Sequence, residues 1–423
     1  MTNVDLLELF NQGIVKPGAH NVNVPIKKAS GENYNGQTYM IPLEYLYYND
    51  QNGRIGVALS EYESVNGRLT PGHNKEYNMI IQQMLTDGAD EKTKKDMKAL
   101  KKDMHLKGQQ EVGYVLIDGR VIDGNRRFTA KRLLEQDSAI SDQQYFEAVI
   151  LGDLSVQNHN DQKKIKALEL QIQFGKLDKV DYDPIDRAID AYKTIIVNNI
   201  MSSKEYSGYA NLTLSEVNKR IQEAELVVKF LEFVNADIDN YALAKQLDLD
   251  GPLQNLVSKY SKFKNDDNAE QLLNTLFAMI LQIRNTKENY KEEFREIVQS
   301  VIGTKKEKKF LEDMEDSTDV IVDAFDGMKS VKNNLELISK LNNDKKATAA
   351  LSQIQALSKR YSETSKNQKE QTKPLILLAK ALSTLESIDQ TIIINLPKAE
   401  ILKLNATLDK LQNSIDTIRS AGN

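Results

Sequence analysis

The sequence predicts an α+β chain: a small mixed sheet near the N-terminus, then an all-α region ending in a heptad-patterned helix. Three observations carry this. Val115, Ile117, Val121 and Ile122 are β-branched and flank Asp118-Gly119, a dipeptide suited to a two-residue hairpin turn. Beyond residue 200 the chain reads as helix after helix, with Thr213-Leu-Ser-Glu216 spelling a capping box. At the C-terminal end, Ile401, Leu404, Leu408, Leu411, Ile415 and Ile418 recur at alternating spacings of three and four.

Composition narrows the chemistry. A chain of 423 residues exceeds one ordinary core, so three domains are expected, at 1–180, 181–265 and 266–423. With no Cys, disulfides and thiolate metal sites are excluded, which fits a cytoplasmic location. The N-terminal MTNVDLLELF lacks the basic and apolar regions of a signal peptide. The longest apolar run, around residues 391–396, is too short to span a membrane. A net charge of −5 argues against a general polycation, so contact with DNA needs a local basic face.

Taken in order, a short amphipathic helix is expected at Val4–Phe10. Gly13 and Gly18 have the first spacing of a P-loop, but Ala19-His20 stands where Lys and Ser/Thr are required, so that motif fails. Thr38–Leu43 reads as a strand, residues 49–54 as a polar turn, and Arg54–Asn78 as irregular. Helices follow near Glu76–Leu85 and Lys92–Lys107. The second sets Met97, Leu100 and Met104 on one face, with lysines around the rest. Its Lys94, Lys98, Lys101 and Lys102 form a candidate basic lip for a nucleotide or a DNA backbone, or else a solvated face.

The hairpin at 112–122 leads into Asp123-Gly124-Asn125, after which Phe128, Ala130, Leu133 and Leu134 take helical spacing. Asn125, Arg126 and Arg127 therefore fall where a strand hands over to a helix N-terminus. Free N–H groups and the helix dipole favour an anion there, and guanidinium forks match phosphate oxygens. This is a candidate phosphate-binding corner. A strand at Tyr145–Leu151 and a helix at Gln162–Phe174 follow, then a helix from Asp183-Pro184 to about Ile200. Shorter helices at Tyr241–Leu247 and Pro252–Phe263 would serve a helix-turn-helix or a docking surface. From Asp266 onward, long amphipathic helices are expected, with polar joints at 303–308, 343–346 and 364–373.

Four segments in order resemble the ParB/sulfiredoxin superfamily, specifically ParB-like N-terminal domains. Ile41-Pro-Leu-Glu44 with Asn52-Gly-Arg54 resembles the opening strand and N-P-x-R box; Lys98 to Gly108-Gln-Gln resembles the entry to the main strand. Asp123-Gly-Asn-Arg-Arg-Phe-Thr-Ala130 resembles the G-E-R-R-x-x-A box, and Glu169-Leu-Gln-Ile-Gln173 with Asp183-Pro-Ile-Asp-Arg-Ala188 the E-N-x-Q segment and its following helix. The resemblance implies a nucleotide site, with CTP or another NTP and Mg²⁺ as ligands. Gly124, Asn125, Arg126 and Arg127 would line the phosphates, with Arg54 as a further arm. Glu169 or Gln171 would face the metal, and Asp123 is the nearest carboxylate for catalysis, because Asn125 stands where the family has Glu.

The implied protein is a nucleotide-dependent switch that binds DNA or a protein partner, in partition or phage defence, and dimerises through its C-terminal helices. Two alternatives use the same residues: a metal-dependent nuclease or NTP-hydrolysing effector acting through Asp123 and Glu169, and a non-catalytic helical scaffold. The four histidines show no zinc-ligand spacing. Sulfiredoxin chemistry is excluded, because it uses a cysteine.

Overall fold

A computed structural model describes residues 4–28, 30–51, 55–86, 91–175, 184–285, 291–326 and 330–421. Arg54 and Asp183 lie outside the described residues. The fold is α+β, with one mixed sheet and a predominance of helix.

Six strands build the sheet: β1 (Lys16–Asn21), β2 (Gln37–Pro42), β3 (Tyr47–Tyr48), β4 (Gly113–Leu116), β5 (Arg120–Asp123) and β6 (Tyr145–Leu151). Their spatial order is β1-β2-β6-β4-β5-β3. The β4–β6 and β3–β5 pairs are parallel and the other three antiparallel. The central strand β6 alternates its side chains between two covered faces. Phe146, Ala148 and Ile150 join one apolar cluster with Val115, Val121 and Phe128, while Val149 and Leu151 join another with Leu116, Ile122 and Leu168.

Glu147, also on β6, is buried. It accepts bonds from Thr38 Oγ1 at 2.6 Å and from the Ala19 backbone N–H at 3.0 Å, and its Oε1 lies 2.8 Å from His20 Nδ1. Burial alone would raise this carboxyl, but the Thr38 and His20 bonds outweigh it and hold it below the usual range. The same bonds fasten β1 to the sheet. KPGAHN has no alternating pattern, which is why this edge strand is invisible in the sequence.

Helices α1 (Leu6–Asn11), α2 (Gly56–Asn66), α3 (Lys75–Leu85), α4 (Glu91–Lys107), α5 (Asn125–Glu135) and α6 (His159–Gly175) accompany the sheet. α2 replaces the irregular segment expected there. Only Val57 and Leu59 of it are buried and no side chain caps its start, so it carries little periodic signal. Then come α7 (Pro184–Tyr192), α8 (Ser203–Ala210), α9 (Leu214–Phe233), α10 (Tyr241–Gln246), α11 (Asp250–Phe263), α12 (Ala269–Asn285), α13 (Lys291–Ser300), α14 (Glu307–Phe325) and α15 (Asn334–Asn343). Thr213 and Glu216 form the expected capping box, and Ser202 with Glu205 a second. The helix from Pro184 ends early: Lys193–Val197 widens into a π turn, and Asn199 takes a left-handed conformation.

Contacts divide the chain into two compact units, 1–361 and 362–423. Within the first, one apolar cluster joins Val57 of α2 to residues from Ile185 to Ile354. α16 (Lys345–Glu386) passes without a break through the joint expected at 364–373, and Pro374 lies inside it. That polar run contains no glycine and is rich in Lys, Gln and Glu, which favour helix, while Pro374 removes only one donor. The second unit continues with α17 (Gln390–Ile394) and α18 (Lys398–Ala421), where the heptad stripe lies as expected. Among the described residues no helix is long and apolar enough to cross a membrane.

Gly119 holds the β4–β5 turn at φ +87°, and a Cβ there would collide with the Tyr45 carbonyl. Gly119→Ala should therefore destabilise the fold by about 2 kcal/mol or more, read as a lower urea midpoint at unchanged slope.

Candidate functional site

The corner expected from the sequence is formed by β5, Gly124 and α5. Gly124 is left-handed (φ 98°), and a Cβ on it would sit 2.8 Å from the Phe146 ring, so glycine is required twice over. No side chain caps the start of α5. Arg126 and Arg127 stand half-buried on the first turn. Arg127 forks between two carboxylates, Glu111 at 2.8 Å and Asp123 at 2.8 Å. Asp123, the catalytic candidate, is thus engaged in holding an arginine.

Asn125 turns inward. It is 5 % exposed, its Nδ2 donates to the Val121 carbonyl at 3.1 Å, and its own carbonyl accepts from Thr129. A carboxylate at this position has no donor for that carbonyl, so the amide is what the buried strand–helix junction requires.

The metal candidates separate. Glu169 and Gln171 are two residues apart on α6, and side chains at that spacing point to different faces. Gln171 lines an outer groove, whereas Glu169 is buried toward the sheet. There it meets a network that no local motif announces. Asn49 Nδ2 donates to Glu169 at 3.1 Å; Lys166 Nζ lies 3.4 Å from Glu169 and 2.5 Å from Asp190; the Tyr206 hydroxyl donates to Asp190 at 2.9 Å. Arg120, equally buried, reaches Asp50 at 2.5 Å and the Tyr47 hydroxyl at 3.3 Å. The sequence signal was slight: a Lys-x-x-Glu pair amid the apolar Ile165, Leu168 and Leu170.

A cavity of about 180 Å³ adjoins this network, lined among others by Asp50, Lys166, Glu169, Asp190, Lys193 and Thr194. Burial pushes the Glu169 carboxyl up, Lys166 pulls it back and Asp190 pushes again, leaving it at about 7. Burial alone would lower the Lys166 ammonium, but Asp190 and then Glu169 hold it above its ordinary value. One ammonium thus serves two carboxylates, and the nearer one, Asp190, takes most of its charge. Among the described residues no group of three or more His, Asp or Glu is disposed to hold a metal.

The lysines of α4 do not converge on the corner. Lys94 pairs with Glu91 at 3.1 Å and Lys107 with Asp103 at 2.6 Å. Lys101 binds Asp137 at 2.7 Å, past the far end of α5 and roughly 16 Å of helix from Gly124. Lys98 and Lys102 are exposed on the same helix.

No family model matches this sequence, and no curated protein matches it either. The site must therefore be read from its own geometry.

That geometry gives one pH-dependent expectation. Glu169 has a higher pKa folded than unfolded, so its contribution to stability is full below about pH 4.5 and is lost as pH rises through about 7. Wild type should lose stability across that window relative to Glu169→Gln, by an amount on the order of 3 kcal/mol at most. Parallel pH–stability curves for the two proteins would disprove it.

Proposed function

We propose that the N-terminal domain binds a nucleoside triphosphate at the Gly124 corner and acts as a nucleotide-dependent switch for a DNA or protein partner. The observation that carries this is the β5–Gly124–α5 junction. Uncapped helix amides, a glycine fixed by φ and by contact, and two first-turn arginines meet at one point. The resemblance to ParB-like domains makes CTP the first nucleotide to test. Glu111 and Asp123 hold the Arg127 fork where phosphate oxygens would compete for it.

A resident metal does not fit beside Glu169, whose carboxylate is taken by Lys166 and Asn49. Mg²⁺ therefore belongs to the triphosphate it accompanies, with Asp123 the adjacent acidic group. The same neutralisation disfavours the nuclease alternative, which needs Glu169 on a metal.

The partner of the C-terminal unit is a second copy of the chain. Leu408, Leu411, Ile415 and Ile418 on α18 are 45 %, 37 %, 38 % and 52 % exposed, an apolar seam of two-stranded coiled-coil spacing.

Titration calorimetry of CTP, ATP, GTP and UTP with Mg²⁺ should show selective binding that disappears in Arg126→Ala/Arg127→Ala. Each lost phosphate contact costs about 1.5–3 kcal/mol. Glu111→Gln, which frees half of the Arg127 fork, should bind at least as tightly. If no nucleotide binds wild type, the switch reading fails. Separately, Leu411→Lys/Ile415→Lys should convert a dimer to a monomer in sedimentation velocity. A monomeric wild type would sink the self-association.

A further inference from the structure

On the outer face of α6 lies a groove of about 670 Å³, separate from the Gly124 corner and from the cavity at Glu169. That volume falls within the roughly 300–1,000 Å³ of ligand clefts. Two walls supply adjacent lysine pairs: Lys27 and Lys28 from the loop after β1, and Lys163 and Lys164 from α6. Asp161 is the one carboxylate among the described lining residues, and its Oδ2 is turned to the Ser155 backbone N–H at 3.2 Å. Four cations facing one carboxylate run against the field of a chain whose net charge is −5. Lys163 pairs with Glu205 and Lys28 lies over the Tyr34 ring, while Lys27 and Lys164 have no carboxylate partner among the described residues.

The rest of the lining is suited to a base rather than to a bare anion. Tyr209 presents a half-buried ring, Ala167 and Ile26 give an apolar floor, and Gln171 offers an amide. The Gln171 Oε1 is buried with no hydrogen-bond partner among the described residues, an acceptor waiting for a donor. Lysine pairs for phosphates, an aromatic platform and an amide for base edges are the parts of a single-strand groove.

We infer that this groove binds single-stranded nucleic acid, its phosphates on Lys27, Lys28, Lys163 and Lys164 and a base stacked on Tyr209. Two adjacent lysine pairs from two elements suit the repeating phosphates of a strand. Three α4 lysines, Lys94, Lys101 and Lys107, are paired with carboxylates, as Lys163 is in the groove, so variants of the lysines on each surface that are unpaired among the described residues tell the two apart.

The test is fluorescence anisotropy of a labelled oligo(dT) of about 16 nucleotides with the full chain at low salt and no added nucleotide. Wild type should bind, and Lys27→Glu/Lys164→Glu should weaken binding at least about tenfold. The milder Lys27→Gln/Lys164→Gln should reduce the salt slope by about 1.4, since each lost phosphate contact on a single strand is worth about 0.7. Tyr209→Ala should weaken binding about tenfold with the slope unchanged, the sign of stacking rather than charge. Both Lys98→Glu/Lys102→Glu and Arg126→Ala/Arg127→Ala should bind as wild type does, which separates this site from α4 and from the nucleotide corner. Unchanged affinity in the groove variants, loss in the α4 variant, or no oligonucleotide binding at all would overturn the assignment. Equal competition by inorganic phosphate, phosphate for phosphate, would reduce the groove to a simple anion site and overturn the single-strand reading.

Discussion

The sheet and the helices that follow it are joined by a buried ammonium with two carboxylates. Lys166 on α6 reaches back to Glu169 on its own helix and forward to Asp190 on α7, while Asn49 ties Glu169 to the end of β3. Removing Lys166 would leave two buried carboxylates without their cation, so the network depends on that one ammonium. Such a network contributes little net stability against an apolar replacement, but it admits only one arrangement of its elements. α6 is thereby fixed against both the sheet and the bundle. Everything on the two faces of α6, the inner cavity and the outer basic groove, inherits its position from that constraint.

Local signals were legible and distant ones were not. The strand Tyr145–Leu151 was readable because it is apolar apart from Glu147, and the Thr213 capping box because its two halves lie three residues apart. The strand–glycine–helix junction at Gly124 was equally visible, since its parts are contiguous in sequence. Arg120, Asn49 and Asp190 were hidden, because their partners lie up to 120 residues away and only the fold brings them together. β1 has no pattern of its own, being held by Thr38 and Glu147. The long polar run before Pro374 misled because it resembles a linker in composition while each of its residues tolerates a helix.

Asn125 is buried at the strand–helix junction. Here the side-chain amide donates to the Val121 carbonyl, while the Asn125 backbone carbonyl accepts from the Thr129 hydroxyl, which also lies 2.9 Å from the Tyr48 hydroxyl. Under the proposed nucleotide reading, binding and turnover are separable at this junction, because Asn125 is committed to structure.

The sheet order carries a consequence for synthesis. β2 pairs with β6, so Thr38 finds Val149 and Glu147 only after more than a hundred further residues exist. At ordinary elongation rates that interval is roughly 5 to 20 s. During it the nascent β1–β2 ribbon has an open inner edge, and its buried Ile41 has nothing to cover it. The domain therefore closes late and all at once, when β6 emerges and inserts between β2 and β4. Truncations that stop before residue 151 would leave not a smaller domain but an unpaired edge.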